Sequence, residues 1–325
     1  MPFGLELAIK LVVIGALIPL TALVLGYAEL KISAHMQSRI GPYFAGGRWG
    51  WAQLLADGVK FIQKEDIIPD NADRPVFKVA PVLVMISTAT LFVILPFGPG
   101  GGFIVRDLNL GIFYALAISS LGTIGVLMAG WSSGNKYSLM GGLRAAGQLI
   151  AYELPLVLAV VGVVIQAGSM SMQGIVEAQI AQGWPYVFTQ FVGFFVFLIA
   201  GLAELSRTPF DMPLAESELI SGYLTEYSGF RFLFFYLAEY ASMFALAAIA
   251  STLFLGGYGF WGVSASWAGP IFFVGKILAI AFVIIWLRWT FPRFREDQLQ
   301  SLAWKWLIPL SLANILATAA FKVVF

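Results

Sequence analysis

Apolar residues along this chain gather into long runs separated by shorter polar stretches. Eight runs, at about 7–28, 77–97, 110–130, 148–168, 187–205, 231–255, 270–288 and 304–324, come near the length of a membrane span. A spanning helix needs roughly 20 apolar residues. Lipid offers no partner to backbone N–H and C=O groups, so such runs cross as helices. The pattern predicts an all-α fold: one transmembrane domain over 1–325, a polytopic bundle of about eight transmembrane helices. The connections near 29–76, 131–147, 206–230 and 289–303 then share one side. Within the first of them, 50–64 repeats with helical period. Trp51, Leu54, Leu55, Val59 and Ile62 fall on one stripe, and Gln53, Asp57, Lys60 and Lys64 mostly elsewhere. That is the pattern of an amphipathic helix lying along the membrane surface. The first run lacks a basic leader and a small-residue cleavage site, so it reads as a retained span.

Composition supports the pattern. Hydrophobic residues make up 59% of the 325, charged residues 11%, and mean hydropathy is +0.85. Soluble domains run at about 45–50% and about 25%. Fifteen of the 19 Lys and Arg residues flank or occupy the four connections named above; Lys10, Arg106, Lys276 and Lys322 lie towards the other side. By the positive-inside rule the basic side is cytoplasmic and both termini face outward. Lys10 and Lys276 are expected to extend their ammonium groups to the membrane surface. With no Cys, the sequence excludes disulfides and Cys-ligated iron–sulfur clusters. The single His35 argues against a bis-His haem or a multi-His metal site and reads as an exposed or loop-packing residue rather than a quinone ligand. A net charge of +1 suggests no nucleic-acid partner.

Against this background, carboxylates inside the apolar runs stand out. Glu153 lies in the fourth run, in Ala151-Tyr152-Glu153-Leu154-Pro155; Glu204 ends the fifth; Glu239 lies in the sixth. A mid-helix acid costs about 2.5–3.5 kcal/mol on insertion scales and persists where it faces a bundle interior or water. Pro155 cannot donate its helix hydrogen bond and frees a carbonyl near Ala151. Three such acids favour a proton path over three unrelated packing accidents. The connection that follows Glu204 is dense in charge and stiffened by two prolines, running from Arg207-Thr208-Pro209-Phe210-Asp211 through Glu216 and Glu218 to Thr225-Glu226-Tyr227-Ser228-Gly229. Solvation alone does not explain acids interleaved with aromatics and prolines.

From Ala203 to Gly229 this run resembles the family of quinone-site membrane subunits of respiratory complex I, designated H in bacteria and 1 in mitochondria. Glu29-Leu30-Lys31 followed by Gln37-Ser38-Arg39-Ile40-Gly41-Pro42 is similar to another family motif. So are Ala56-Asp57-Gly58-Val59-Lys60, Ala129-Gly130-Trp131 and the segment from Arg144 to Glu153. The resemblance covers nearly the whole chain. It implies a component of a proton-translocating NADH:quinone oxidoreductase, not catalytic alone, in a bacterial inner membrane. Cytoplasmic loops and peripheral subunits would form a chamber admitting a lipid quinone of the ubiquinone or menaquinone type. Carried over by motif, Glu29, Lys31, Gln37, Arg39, Asp57, Arg207, Phe210, Asp211, Glu216 and Glu226 would line or support that chamber. Glu153, Glu204, Glu218 and Glu239 would serve proton transfer.

The implied partners are peripheral iron–sulfur and quinone-site subunits, antiporter-like and small membrane subunits, and the bilayer. Quinone is the implied substrate, with no metal, haem or iron–sulfur cluster in this chain, so electrons would arrive from a partner. Two positions depart from the family pattern: Leu30 stands where a basic residue is usual, and Leu214 where a glutamate is usual. An equivalent component of a membrane-bound hydrogenase or ferredoxin-fed complex is the alternative; a stand-alone ion-coupled transporter fits less well, for want of internal repeats.

Overall fold

The computed structural model describes residues 3–99, 104–259 and 267–324. Among them every regular element is helical. α1 (Phe3–Met36) is followed by α2 (Gln53–Gln63), α3 (Arg74–Leu91), α4 (Gly111–Ser132), α5 (Lys136–Ala167) and α6 (Met172–Gln182). Then come α7 (Phe191–Glu204), the short α8 (Glu216–Leu219), α9 (Gly229–Phe254), α10 (Ala268–Thr290), α11 (Glu296–Leu302) and α12 (Ile308–Val324).

Seven helices among the described residues are long and apolar enough to cross a membrane, α11 and α12 counting as one through the π turn Ala303–Leu307. The eighth expected span, 187–205, is shorter than its run: α7 holds 14 residues, about 21 Å at 1.5 Å per residue, against about 30 Å of hydrocarbon. Pro185 interrupts the pattern, and turns over Tyr186–Gln190 precede the helix. The expected amphipathic helix is α2, whose Leu54 is buried while Trp51, Leu55, Val59 and Ile62 are exposed.

Three elements differ from the sequence reading in instructive ways. α1 runs on to Met36, so Glu29 and Lys31 stand on a helix rather than in a loop. α5 begins at Lys136, capped by the Asn135 side chain accepting from the Tyr137 amide, so most of 131–147 is helical. α6 falls in a stretch read as a connection. Its signals are local: the Ser171 hydroxyl accepts from the Gly174 amide at the start, and Gly183 takes a left-handed conformation at the end.

α9 is the centre of the bundle. Two-thirds (67%) of its span is buried, against 11% for the α11–α12 span at the edge. Its run of Ala238, Ala241, Ala245, Ala247, Ala248 and Ala250 lets neighbours approach closely. Gly130 of α4 and Gly142 of α5 do the same: a Cβ on Gly130 would stand 2.7 Å from the Ser138 carbonyl oxygen.

Both lysines find backbone acceptors. Lys276 donates to the carbonyls of Leu255, Gly257 and Gly259 at 2.7, 2.8 and 2.6 Å, closing the C-terminal end of α9. Lys10 donates to the Val105 carbonyl and pairs with Glu6. The reason is common to both: unpaired backbone carbonyls were within reach, and a half-buried ammonium needs acceptors.

Candidate functional site: a buried charge cluster beside an acidic cavity

The connection leaving α7 folds back on itself at once. Leu205 donates its amide to Gly201, Ser206 to Ala203 and Phe210 to Arg207. This turn sends the Arg207 side chain inward, where it is 2% exposed. Its Nη1 donates to Glu29 Oε2 at 2.7 Å, and Nη2 lies 3.0 Å from Glu239 Oε1. Arg288, near the end of α10, donates to Glu29 Oε1 at 2.5 Å and stands 3.9 Å from Glu239. The Arg207 guanidinium also lies over the Tyr240 ring, 4.9 Å from its centre. Four elements far apart in sequence therefore meet in a cluster of two cations and two anions. Burial works against the charge of Arg207; Glu239 and Glu29 outweigh it and keep the guanidinium protonated.

Next to this cluster lies a cavity of about 150 Å³, room for several waters. Helices α3, α4, α5, α7 and α9 wall it. Glu204 and Glu239 are its acids; Ser87, Thr88, Ser119, Thr123, Ser206, Ser242 and Tyr223 are its hydroxyl-bearing residues; the rest is apolar. Glu239 belongs to both features. Glu153 is not on the wall; Glu204 faces Ser119. Leu214, one of the two departures from the family pattern, lines the cavity too, whereas Leu30 does not.

The remaining expected residues fall into separate groups. Asp211 holds Arg293 at 3.0 Å; burial raises its carboxyl's pKa, while Arg293 counteracts. Glu218 is exposed and pairs with Arg144 at 2.6 Å, which holds its pKa below the ordinary range. Glu218 thus stands at a surface pocket with Arg144, Arg293 and Glu296, apart from Glu204 and Glu239. Lys31 donates to the Pro42 carbonyl at 2.6 Å, and Arg39 to Gln37 at 2.6 Å. Asp57 pairs with Lys60 on α2.

Glu226 accepts from Asn135 at 2.6 Å, joining its loop to the start of α5. Phe210 is buried between Tyr152 and Phe294, ring centres 5.2 and 5.5 Å away, and so supports the turn from behind. Glu216 opens α8, and its side chain lies outside the described residues. Tyr227 stacks on Phe77 at 4.0 Å, and burial pushes its phenol up to about 12. His35 ends α1, exposed.

Sequence reasoning missed Arg288 and Tyr240. Arg288 carries one signal, a lone cation closing an apolar run, which is also what any cytoplasmic flank looks like. Among the described residues no group of three or more His, Asp or Glu side chains converges as a metal-ligand set.

Buried arginine–glutamate pairing beside a cavity acid, inside a bundle of apolar helices, defines a membrane protein that holds charge in its interior. The family model described as NADH dehydrogenase matches residues 9–319. The chain is 49% identical over 298 residues to the H subunit of the NADH-quinone oxidoreductase of Geobacillus kaustophilus, covering 92% of this chain and 88% of that relative. The H subunits of Bacillus cereus strain B4264 and Bacillus thuringiensis strain Al Hakam match at the same identity and coverage. The chain is an integral membrane protein of the NADH dehydrogenase family.

Proposed function

We propose that this chain is the quinone-site membrane component of a proton-translocating NADH-quinone oxidoreductase, contributing to the quinone chamber and linking quinone reduction to proton movement. The observation that carries this reading is the 49% identity over 92% of the chain to proteins named as a component of that enzyme. It acts within its complex and is not a catalyst alone. Quinone reduction takes up two electrons and two protons. A chain without Cys supplies the cavity wall, the field and the protons, and iron–sulfur partners supply the electrons. Glu29, Lys31, Gln37, Arg39, Asp57, Arg207, Phe210, Asp211, Glu216 and Glu226 line or support the chamber. Glu204, Glu239 and Glu153 form the proton path inward from it, with Glu218 at its cytoplasmic mouth. The basic connections face the cytoplasm of a bacterial inner membrane, and both termini face outward. Peripheral iron–sulfur subunits and antiporter-like membrane subunits complete the complex.

The geometry supports this in one respect above others. Glu239 touches both Arg207 and the cavity. A change of charge at the loop that carries Arg207 alters the field on Glu239, and so the tendency of the cavity to hold a proton.

Affinity purification of the tagged chain from its own membrane tests the proposal. Iron–sulfur and antiporter-like subunits should co-purify, with NADH-dependent quinone reduction. A fully active, monodisperse single chain would overturn it.

A further inference from the structure

Gln148 sits on α5 directly behind the turn that carries Arg207, and it is 0% exposed. Its Nε2 donates one hydrogen to the Ala203 carbonyl at 2.8 Å and the other to the Phe210 carbonyl at 2.7 Å. Those two carbonyls bracket the segment from Glu204 to Pro209. Only an NH2 group can serve two acceptors in this way, which settles the orientation of the amide. Its Oε1 has no donor among the described residues, so the two carbonyls hold the side chain there.

Besides Gln148, the segment is tied by Ser206 donating to Ala203, Phe210 to Arg207 and Phe294 to Pro209, and Gln148 is the side chain that joins its two ends. Pro209 has no N–H, Ser206 is held at a positive φ of 49°, and the Arg207 amide reaches Leu202 only at 3.4 Å. One helical turn further along α5, Tyr152 packs edge-on against Phe210 and donates to the Leu299 carbonyl at 2.8 Å. Gln148 and Tyr152 thus present one helix face to the turn, four residues apart.

We infer that Gln148 is a positioning residue. Its amide clamps the Ala203–Phe210 turn, and so sets where Glu204 stands at the cavity and where Arg207 reaches Glu29 and Glu239. The inference rests on the function proposed above. It deepens that reading by assigning the control of Glu204 and Arg207 to a neutral side chain that touches neither. A leucine fills similar volume but takes the side-chain donor from the buried Phe210 carbonyl and leaves Ala203 only its backbone donors, and the turn then relaxes to find another partner for Phe210. Misplacement by about 1 Å can cost up to about 100-fold in rate.

The test uses the assembled complex in its membrane. In Gln148→Leu, electron transfer from NADH to a hydrophilic artificial acceptor should match the wild type, which reports assembly. The kcat for quinone reduction should fall about tenfold, as expected for loss of a buried hydrogen bond. The KM for quinone should not change. Gln148→Glu separates a clamp from packing. Its carboxylate repels both carbonyls, whereas the protonated form returns one donor, so activity relative to Gln148→Leu should rise as pH falls. The charged and titratable groups around it are Arg144, Tyr152 and Glu153 on α5 and Glu204, Arg207 and Asp211 on and beyond the turn. Each is present in both variants and cancels in that ratio.

A spin label on Thr208→Cys, the one cysteine this chain would then hold, gives a readout free of quinone chemistry once the signal of the labelled complex without that substitution is subtracted. It should be immobile beside Gln148 and mobile beside Leu. An unchanged kcat, a pH-independent ratio or an equally immobile label would overturn the clamp. A wild type without quinone reduction would instead overturn the proposed function and leave the label to decide the clamp.

Discussion

At the scale of single residues, the clearest expectation concerns Arg207. Its guanidinium neutralises Glu29, which is 5% exposed, and contacts Glu239. Removing one partner of a buried pair costs about 3–5 kcal/mol when the survivor is left charged and unpaired; here Arg288 still reaches Glu29, which places the loss at the lower end of that range. Arg207→Met should therefore lower the thermal midpoint of the purified complex markedly, while Arg207→Met with Glu29→Gln should lose less than the sum of the single changes. Additive losses in that cycle would argue against the pairing.

A second expectation follows the pH. Arg144 holds the Glu218 carboxyl's pKa below its ordinary value. The stability it contributes is therefore fully present above the free-carboxyl pKa of about 4.3 and is lost as pH falls through the lowered value. Glu218→Gln should remove this part of the acid limb of a thermal-stability profile and change nothing at pH 7 beyond the loss of an exposed contact. A third concerns Glu153→Gln, which keeps the shape but cannot titrate. Proton-coupled quinone turnover should fall more than complex assembly, measured as quinone reduction against recovered complex.

At the scale of elements, close approach of backbones decides the packing. Gly222 has φ +55°, and a Cβ there would meet the Pro213 carbonyl oxygen at 1.9 Å. Gly222→Ala should push the acidic loop away from Gly141 of α5 and lower expression of folded protein, by about 1–3 kcal/mol of overpacking, read as loss of monodisperse complex in size exclusion. The edge helix α12 is held differently. Asn314 donates to Gln190 at 2.8 Å, Gln190 to Thr318 at 2.7 Å, and Thr318 to the Asn314 carbonyl at 2.7 Å. Here lies one limit of reading elements from pattern. Apolar runs mark α3, α4, α9 and α10 because a span must be apolar for its whole length. The same signal gives no sign that α1 and α5 continue past the membrane, since a helix in contact with protein and solvent can be polar. α6 was legible only from its caps, Ser171 and Gly183, which the length of the connection hid.

At the scale of the whole molecule, opposite charges have been drawn from α1, the post-α7 turn, α9 and α10 to one point at the cytoplasmic end proposed for the bundle. Glu239 shares that point with the cavity. A chain without Cys permits a direct test of orientation. Single cysteines at Ser38 and at Asn135, on the basic side, should resist an impermeant maleimide added to intact cells. One at Gln182 should react. The reverse pattern would invert the topology.

Taken alone, the sequence determined the class of structure and showed which acids lie inside its apolar runs. Long apolar runs have one stable outcome in lipid, and a carboxylate inside such a run is conspicuous at any register. The family resemblance also picked Glu29 and Arg207, and the apolar run around it picked Glu239, each separately. Their meeting was a tertiary matter: they are separated by up to about 200 residues, and spacing along a chain carries no record of which helices will pack. The same reason hid Arg288, whose local context is that of any membrane flank, and Gln148, a neutral residue whose partners are backbone carbonyls of a distant turn. Packing also divided the acids that the sequence had grouped. It put Glu204 and Glu239 at a buried cavity and Glu218 at the surface against Arg144, because α8 carries Glu218 on its exposed side while Leu214 and Tyr223 of the same connection face the cavity.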